Sequence, residues 1–337
     1  MDDTKKRVLV VGAGGFAGGF ICEEGLRRNC EVWAGVRAST SRKYLSDPAL
    51  NFAILDFEHP ESLATSLKEA SGGVPWDWII YNLGATKCLN FSDFNKINYL
   101  YLKYFTDALH QSGLLPEKMV YISSLSAMGK GDETQYTPFT EKMVPNPDTR
   151  YGTSKLKAEM WLATCGIPSV IFRATGIYGP RDRDYFLMFQ SIKRGFDFTV
   201  GYRRQLLSFL YVEDLARACF DALEKAPAGA TYILGEVQTY SQKDFRRLVC
   251  DALGKKSAIP VRMPLWTVRA VSKIAEKIGV ARGKPSTLNS DKYRIMAQRN
   301  WAIDPSRARR DFGFATQVPL PEGVRRCVEW YVAEGWL

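Results

Sequence analysis

At 337 residues, 46% apolar and 24% charged, the chain has the composition of an ordinary globular protein and the length for about two domains, or one doubly wound domain with an appendage. Only His59 and His110 and seven scattered cysteines without a CxxC pair are present, which argues against a metal site, a histidine-based triad and a disulfide framework. A net charge of +10 favours anionic ligands or surfaces, with a solvated basic face as the simplest reading; no nucleic-acid module is recognisable, and no nucleic-acid partner is expected.

The opening MDDTKKRVLVVG passes from charge into a short apolar run ended by glycine, without the apolar region of a signal peptide. No run approaches the ~20 apolar residues of a membrane span. These features, with widely spaced thiols, lead us to expect a cytoplasmic protein with reduced cysteines.

Taken in chain order, apolar runs at 7–11, 31–36, 52–55, 78–81, 119–122, 169–172 and 231–234 are short, rich in Val and Ile, and continuous rather than alternating. That pattern predicts strands buried on both faces, as in a parallel sheet. Between them, 16–29, 62–70, 98–111 and 151–165 carry helical spacing and length. The alternation predicts an α/β fold: a doubly wound, Rossmann-type parallel sheet of about seven strands. Past Gly176 the regularity loosens. We therefore expect residues 1–175 to form a dinucleotide-binding unit to which 209–235 returns, with 176–208 and 236–337 forming a smaller, interleaved substrate lobe.

The run VLVVGAGGFAGGF puts Gly12, Gly15 and Gly18 at three-residue intervals between the first strand and the first helix. Glycines there permit a tight turn and let backbone N–H groups approach a pyrophosphate at the positive end of the helix. At the end of the second strand, where an acid would read a ribose hydroxyl, the chain has Arg37, with Arg42 and Lys43 close behind. A guanidinium pairs with a 2′-phosphate, so NADP is the expected cofactor and NAD the alternative.

The stretch RYGTSKLKAEM places Tyr151 four residues before Lys155. Together with the glycine loop, YISSLSAMG at 121–129, ILDFE at 54–58, NLGAT at 82–86, RATGIYGPRD at 173–182 and SFLYVEDLARA at 208–218, it resembles the extended short-chain dehydrogenase/reductase family, the epimerase/dehydratase group. A tyrosine with an ordinary pKa near ~10 needs a nearby cation to work as an acid/base at neutral pH, and a lysine at i+4 shares its helix face. Lys155 is expected to lower the pKa of Tyr151.

The resemblance implies that Lys155 also bonds the nicotinamide ribose, that Tyr151 carries the proton and that Ser124 bonds the substrate oxygen, with Ser123 as the neighbour that could be confused with it. It further implies cofactor contacts from Phe16, from Asp56 and Phe57, from Leu83, Gly84 and Ala85, and from Arg173 with the ATGIYG run beside the nicotinamide. It also implies a homodimer through the helices at 98–111 and 151–165.

For the substrate, many nucleotide-sugar epimerases of this family carry an arginine where LLSFLYVEDLA has Ser208; Arg203 and Arg204 lie upstream in what reads as a solvated loop. The SF ending resembles the branch that reduces apolar alcohols and ketones. The first expectation is an NADP-dependent oxidoreductase of a moderately apolar substrate. The alternative is a nucleoside-diphosphate-sugar epimerase or dehydratase, and a third reading is a non-catalytic dinucleotide sensor. In PLWTVRAVSKIAEKIG, Leu265, Val268, Val271, Ala275 and Ile278 fall near one stripe. A lid or core-packing helix is expected there, with a membrane-surface helix as the alternative. The resemblance also implies a strand-like stretch before a last helix starting near Pro321.

Overall fold

The computed structural model describes residues 5–284 and 286–337; the first four, part of the opening read above, lie outside them. Strands β1 (Arg7–Val11), β2 (Glu31–Val36) and β3 (Asn51–Ile54) alternate with α1 (Phe16–Arg27) and lead to α2 (Leu63–Ser71) and β4 (Trp78–Tyr81). Then come α3 (Phe91–Asn95), α4 (Tyr101–Ser112), β5 (Lys118–Ile122), α5 (Arg150–Leu162) and β6 (Ser169–Ala174). The chain leaves the sheet through β7 (Gly176–Tyr178), α6 (Phe186–Lys193) and β8 (Phe196–Val200), and comes back through β9 (Phe209–Tyr211), α7 (Val212–Lys225) and β10 (Thr231–Leu234). It finishes with α8 (Gln242–Ala252), β11 (Ile259–Met263), α9 (Leu265–Ala281), α10 (Ser290–Ala297), α11 (Ser306–Phe312) and α12 (Leu320–Ala333).

Seven of these strands form one sheet in the order β10-β6-β5-β4-β1-β2-β3, every pairing parallel. All seven expected strands are in it, with ends shifted by no more than two residues. The reason is visible in β1: Val8 and Val10 pack into one apolar layer, Leu9 and Val11 into the other. Because successive side chains point to opposite faces, a strand covered on both sides must be apolar at every position. Truncating one such Leu to Ala costs about 2–5 kcal/mol.

Three expectations need correction. The helix expected over 98–111 begins regularly at Tyr101, because Lys96–Leu100 forms a π-helical turn whose side chains serve the site described below. No strand precedes α12; residues 313–319 run as irregular chain. The third concerns α9. Of its stripe only Val268 is buried, together with Ser272 and Gly279, whereas Val271 and Ile278 are about half exposed and Trp266 is 72% exposed. Helix α9 is therefore not a core-packing helix: it touches the body through small residues and leaves its apolar side outward, while its Glu276 and Val280 line a small cavity with Phe94 and Asp291.

The second half of the chain builds its own core, in which Tyr178, Phe189, Phe209, Phe245 and Tyr331 pack ring against ring at 5.3–5.8 Å. The aromatic residues of this lobe are structural filling. Among the described residues no helix is long and apolar enough to cross a membrane.

Candidate active site

Strand β1 has β2 on one side and β4 on the other, so the connections leaving β1 and those leaving β4 run in opposite directions and open a crevice at their carboxyl ends. The glycine loop lies there. Gly12, at φ +85°, and Ala13 donate their N–H groups to the Gly35 carbonyl at 3.0 and 3.2 Å. A Cβ on Gly12 would sit 2.8 Å from Leu83 N, and one on Gly18 only 2.4 Å from Gly12 O, so strand end and helix touch backbone to backbone. Gly15 is the N-cap of α1 and supplies no side-chain cap; half-buried Phe16 follows and turns its ring edge-on to Phe20. Uncapped N–H groups beside a glycine cradle suit a pyrophosphate, so the residues present fit a dinucleotide.

At the adenosine end, Arg37 is exposed, and Thr40, whose Oγ1 accepts from Arg37 N at 3.2 Å, lies against Gly14 of the glycine loop. Among the described residues no carboxylate lies within ion-pairing reach of Arg37, whereas Arg42 sits 4.0 Å over the Phe52 ring and Lys43 pairs with Glu334 at 2.9 Å. Of the three basic residues expected at this turn, only Arg37 faces solvent uncommitted. Asp56 bonds His59 Nδ1 at 2.8 Å and Glu58 N at 3.0 Å; the imidazole, ahead of the backbone N–H, holds its carboxyl below the ordinary value. Phe57 is buried and stacks on Tyr101 at 5.2 Å.

On the far side of β4, Ala85 donates its N–H to Asn98 Oδ1 at 2.7 Å, and Asn98 Nδ2 donates to Ala85 O at 3.1 Å and to Ser154 Oγ at 2.9 Å. Asn98 is wholly buried in the π-helical turn and ties the Leu83–Ala85 segment to α5. A single π turn at such a place is a frequent mark of a functional site. Gly84 lies directly over the end of Lys155: the position a Cβ would take is 3.0 Å from Nζ.

The proton-transferring candidates stand at the mouth. Thr149 caps α5 by accepting from Gly152 N at 3.0 Å, and Asp291 of α10 accepts from Tyr151 N at 3.0 Å, so a local cap and a distant carboxylate both fall on the first turn of this helix. The Ser124 hydroxyl lies near that of Tyr151 and favours its ionised form, while itself accepting from Ser126 N at 3.2 Å. Ser123, in contrast, turns inward to the Glu159 carboxylate, so successive strand-end residues face opposite ways and Ser124 is the one beside the tyrosine.

Lys155 is buried and donates to Ile122 O at 2.8 Å, 4.8 Å above the Tyr121 ring. Burial holds its ammonium down at about 8, opposed by the charge of Glu159 one turn on. The expected lowering of Tyr151 does not hold here: burial pushes its phenol up, and the Ser124 hydrogen bond only partly counters this. Desolvation is the larger effect at this corner, because burial penalises the charged phenolate.

Arg173 is not turned to the nicotinamide side. Its guanidinium donates Nε and Nη2 to Glu159 Oε2 at 3.1 and 2.6 Å in the core. Ser208 is buried with no partner for its hydroxyl, while Arg203 reaches Glu133 and Arg204 lies over Tyr136 at the surface. The rim is joined by Lys87 and Lys292, which both pair with Asp184, the latter at 3.7 Å.

The NAD dependent epimerase/dehydratase family model matches residues 8–235, more than half of the chain. The chain belongs to this family. As a family member it is an enzyme of the NAD-dependent epimerase/dehydratase type. It is 26% identical to a dTDP-glucose 4,6-dehydratase of Shigella flexneri over 203 residues, 58% of this chain and 50% of that protein. A ceramide reductase of Caulobacter vibrioides is 23% identical over 337 residues, 99% of this chain and 97% of that one. The structure of a UDP-glucose 4-epimerase with UDP-glucose from Thermotoga maritima superposes with a TM-score of 0.76 at 20% identity, covering 97% of this chain and 99% of that one. Three residues joined to this site went unnoticed in the sequence: Asn98, Glu159 and Asp291. Glu159 had a signal, since it follows Lys155 by one helical turn; the other two had none beyond being polar.

Proposed function

We propose that this family member moves a hydride at a carbinol or carbonyl carbon, with Tyr151 as the proton carrier, Ser124 holding the reacting oxygen and Lys155 as the supporting cation. The observation that carries the proposal is the Ser124–Tyr151 hydroxyl pair, with Lys155 one turn along α5 and its Nζ beside Gly84, whose neighbour Leu83 meets Gly12 of the glycine loop. When bound, a nicotinamide ring supplies the hydride acceptor and donor. In the oxidising direction Tyr151 takes the hydroxyl proton of the substrate as its C–H electron pair leaves with the hydride; in the reducing direction it returns that proton to the oxygen. Ser124 stabilises the charge that develops there. Gly12, Gly15, Phe16, Gly18 and the Leu83–Ala85 backbone would hold the cofactor, and Asp56 and Phe57 its adenine side.

We read the cofactor as NADP, because Arg37 stands uncommitted where a 2′-phosphate would lie. Arg37→Ala is expected to weaken NADPH binding about tenfold or more and to leave NADH unchanged; equal dissociation constants for the two in the unaltered protein would overturn this choice.

For the substrate, a sugar nucleotide is better supported by the family model and by the dehydratase and epimerase relatives than the apolar alcohol or ketone first expected. A specific observation keeps the second reading: one relative that matches nearly end to end is a ceramide reductase, and Ser208 is a buried, unpartnered hydroxyl where the resemblance expects a diphosphate-binding arginine. A thermal-shift series with NADPH, NADH, UDP-glucose, dTDP-glucose and a long-chain ketone separates them. Stabilisation by a nucleotide sugar supports the first reading, by the ketone alone the second, and by neither dinucleotide would remove both. A homodimer through α4 and α5 belongs to the same reading and is tested by sedimentation velocity.

A further inference from the structure

Helix α9 and the strand before it hold an uneven share of two properties. Residues 255–284 contain eight Lys or Arg and one Glu, a net +7 of the chain's +10. That single acid, Glu276, has one carboxylate oxygen engaged by Ser290 N at 3.1 Å and Ser290 Oγ at 2.6 Å. The same stretch carries an exposed apolar row: Val271, Ile274 and Ile278 are 52%, 58% and 45% exposed, and Trp266 72%. Spacings of three and four put Val271, Ile274 and Ile278 on one side of the helix, under a third of a turn round from the inward Val268, Ser272 and Gly279. Arg269, Lys273 and Lys277, four apart and all exposed, form a second row beside it.

The exposed surface continues past the helix start. Leu265 lies against Gly201, at the end of β8, and β8 pairs in parallel with β11. On that two-stranded ribbon Phe196 and Phe198 are 44% and 49% exposed and stacked at 6.3 Å. An apolar row, a row of cations beside it that a tryptophan opens, and two exposed phenylalanines near the helix start are the pattern of a helix lying in the plane of a membrane interface.

We propose that this face docks on the surface of a bilayer containing anionic phospholipid, with α9 parallel to the plane, Val271, Ile274 and Ile278 entering the acyl boundary and Trp266, Arg269, Lys273 and Lys277 at the headgroups. Charge decides between occupants. A second copy of the chain would set +7 against +7, which opposes self-association, whereas an anionic leaflet is attractive to every one of those cations. Nucleic acid would use the cations but would leave the apolar row in water. The proposal does not depend on the substrate class. It does orient the site, because α9 packs on α10, whose Asp291 holds the first turn of the Tyr151 helix.

The test is co-sedimentation of the full chain with vesicles of phosphatidylcholine alone and with about a third phosphatidylglycerol. Binding is expected only to the anionic vesicles and is expected to weaken as salt rises. The double variant Ile274→Glu/Ile278→Glu should lose at least about tenfold in vesicle affinity, and Lys273→Glu/Lys277→Glu a comparable amount, both with the unaltered thermal melt. A blue shift of tryptophan emission on binding should be diminished in Trp266→Phe. Equal binding to both vesicles, no binding to either, or a self-association in sedimentation velocity that the isoleucine variant abolishes would each overturn the proposal.

Discussion

Helices α5 and α9 each carry more Lys and Arg than Asp and Glu, yet the protein holds them by different means. Helix α5 is fixed by polar bonds on every side: Thr149 and Asp291 on its first turn, Ile122 O on Lys155, and Ser123 and Arg173 on Glu159. Helix α9 touches its neighbours through Val268, Ser272 and Gly279 and shows its larger apolar residues to the outside. The buried polar anchor fixes a geometry to fractions of an ångström, which acid/base chemistry requires; the apolar row fixes only a preference for a non-aqueous surface.

The comparison can be broken most sharply at Glu159. Glu159→Ala leaves the Arg173 guanidinium buried without its carboxylate and should destabilise the fold by about 3–5 kcal/mol in urea unfolding, because among the described residues Glu159 is the acid that pairs with that charge. An effect no larger than that of a surface substitution would mean that α5 is held by packing alone.

A smaller effect of opposite sign is expected at Lys155. Its folded-state value, about 8, lies below the ordinary 10.5, so the buried ammonium penalises the fold at neutral pH. Below pH 8 the full penalty is present; between about 8 and 10.5 the folded protein gives up the proton before the unfolded chain does, and stability rises with pH. Lys155→Met should therefore melt at or above the unaltered protein at pH 7, by up to about 3 kcal/mol, with this advantage fading by pH 10.5 while activity is lost throughout. A melt far below the unaltered protein at pH 7 would show that the Ile122 hydrogen bond outweighs the burial cost.

The smallest change is expected in α9. Val271→Ser and Ile274→Ser should each alter stability by no more than about 0.5 kcal/mol, since neither residue packs against the body. A loss of several kcal/mol would place that face against something in the folded chain.

The sheet was legible because burial on both faces leaves a continuous Val/Ile run, and the glycine loop because close backbone approach admits no Cβ. Ser124, Tyr151 and Lys155 could be found as local spacings on a strand end and one helix. Residues that reach the site from elsewhere were not: Asp291 meets Tyr151 across 140 positions, and Asn98 acts through a π turn that no periodicity announces. The outward face of α9 was misread because amphipathicity reveals that an apolar side exists but not what covers it. The pKa of Tyr151 was misread because charge was weighed without desolvation.

The central claim is that Tyr151 carries the proton at a dinucleotide-dependent site. The direct measurement is the turnover of Tyr151→Phe on the substrate found in the thermal-shift series, beside its dissociation constant for the cofactor. The account predicts a fall in kcat of about a hundredfold to ten-thousandfold with cofactor affinity unchanged; turnover within a few-fold of the unaltered enzyme would contradict it.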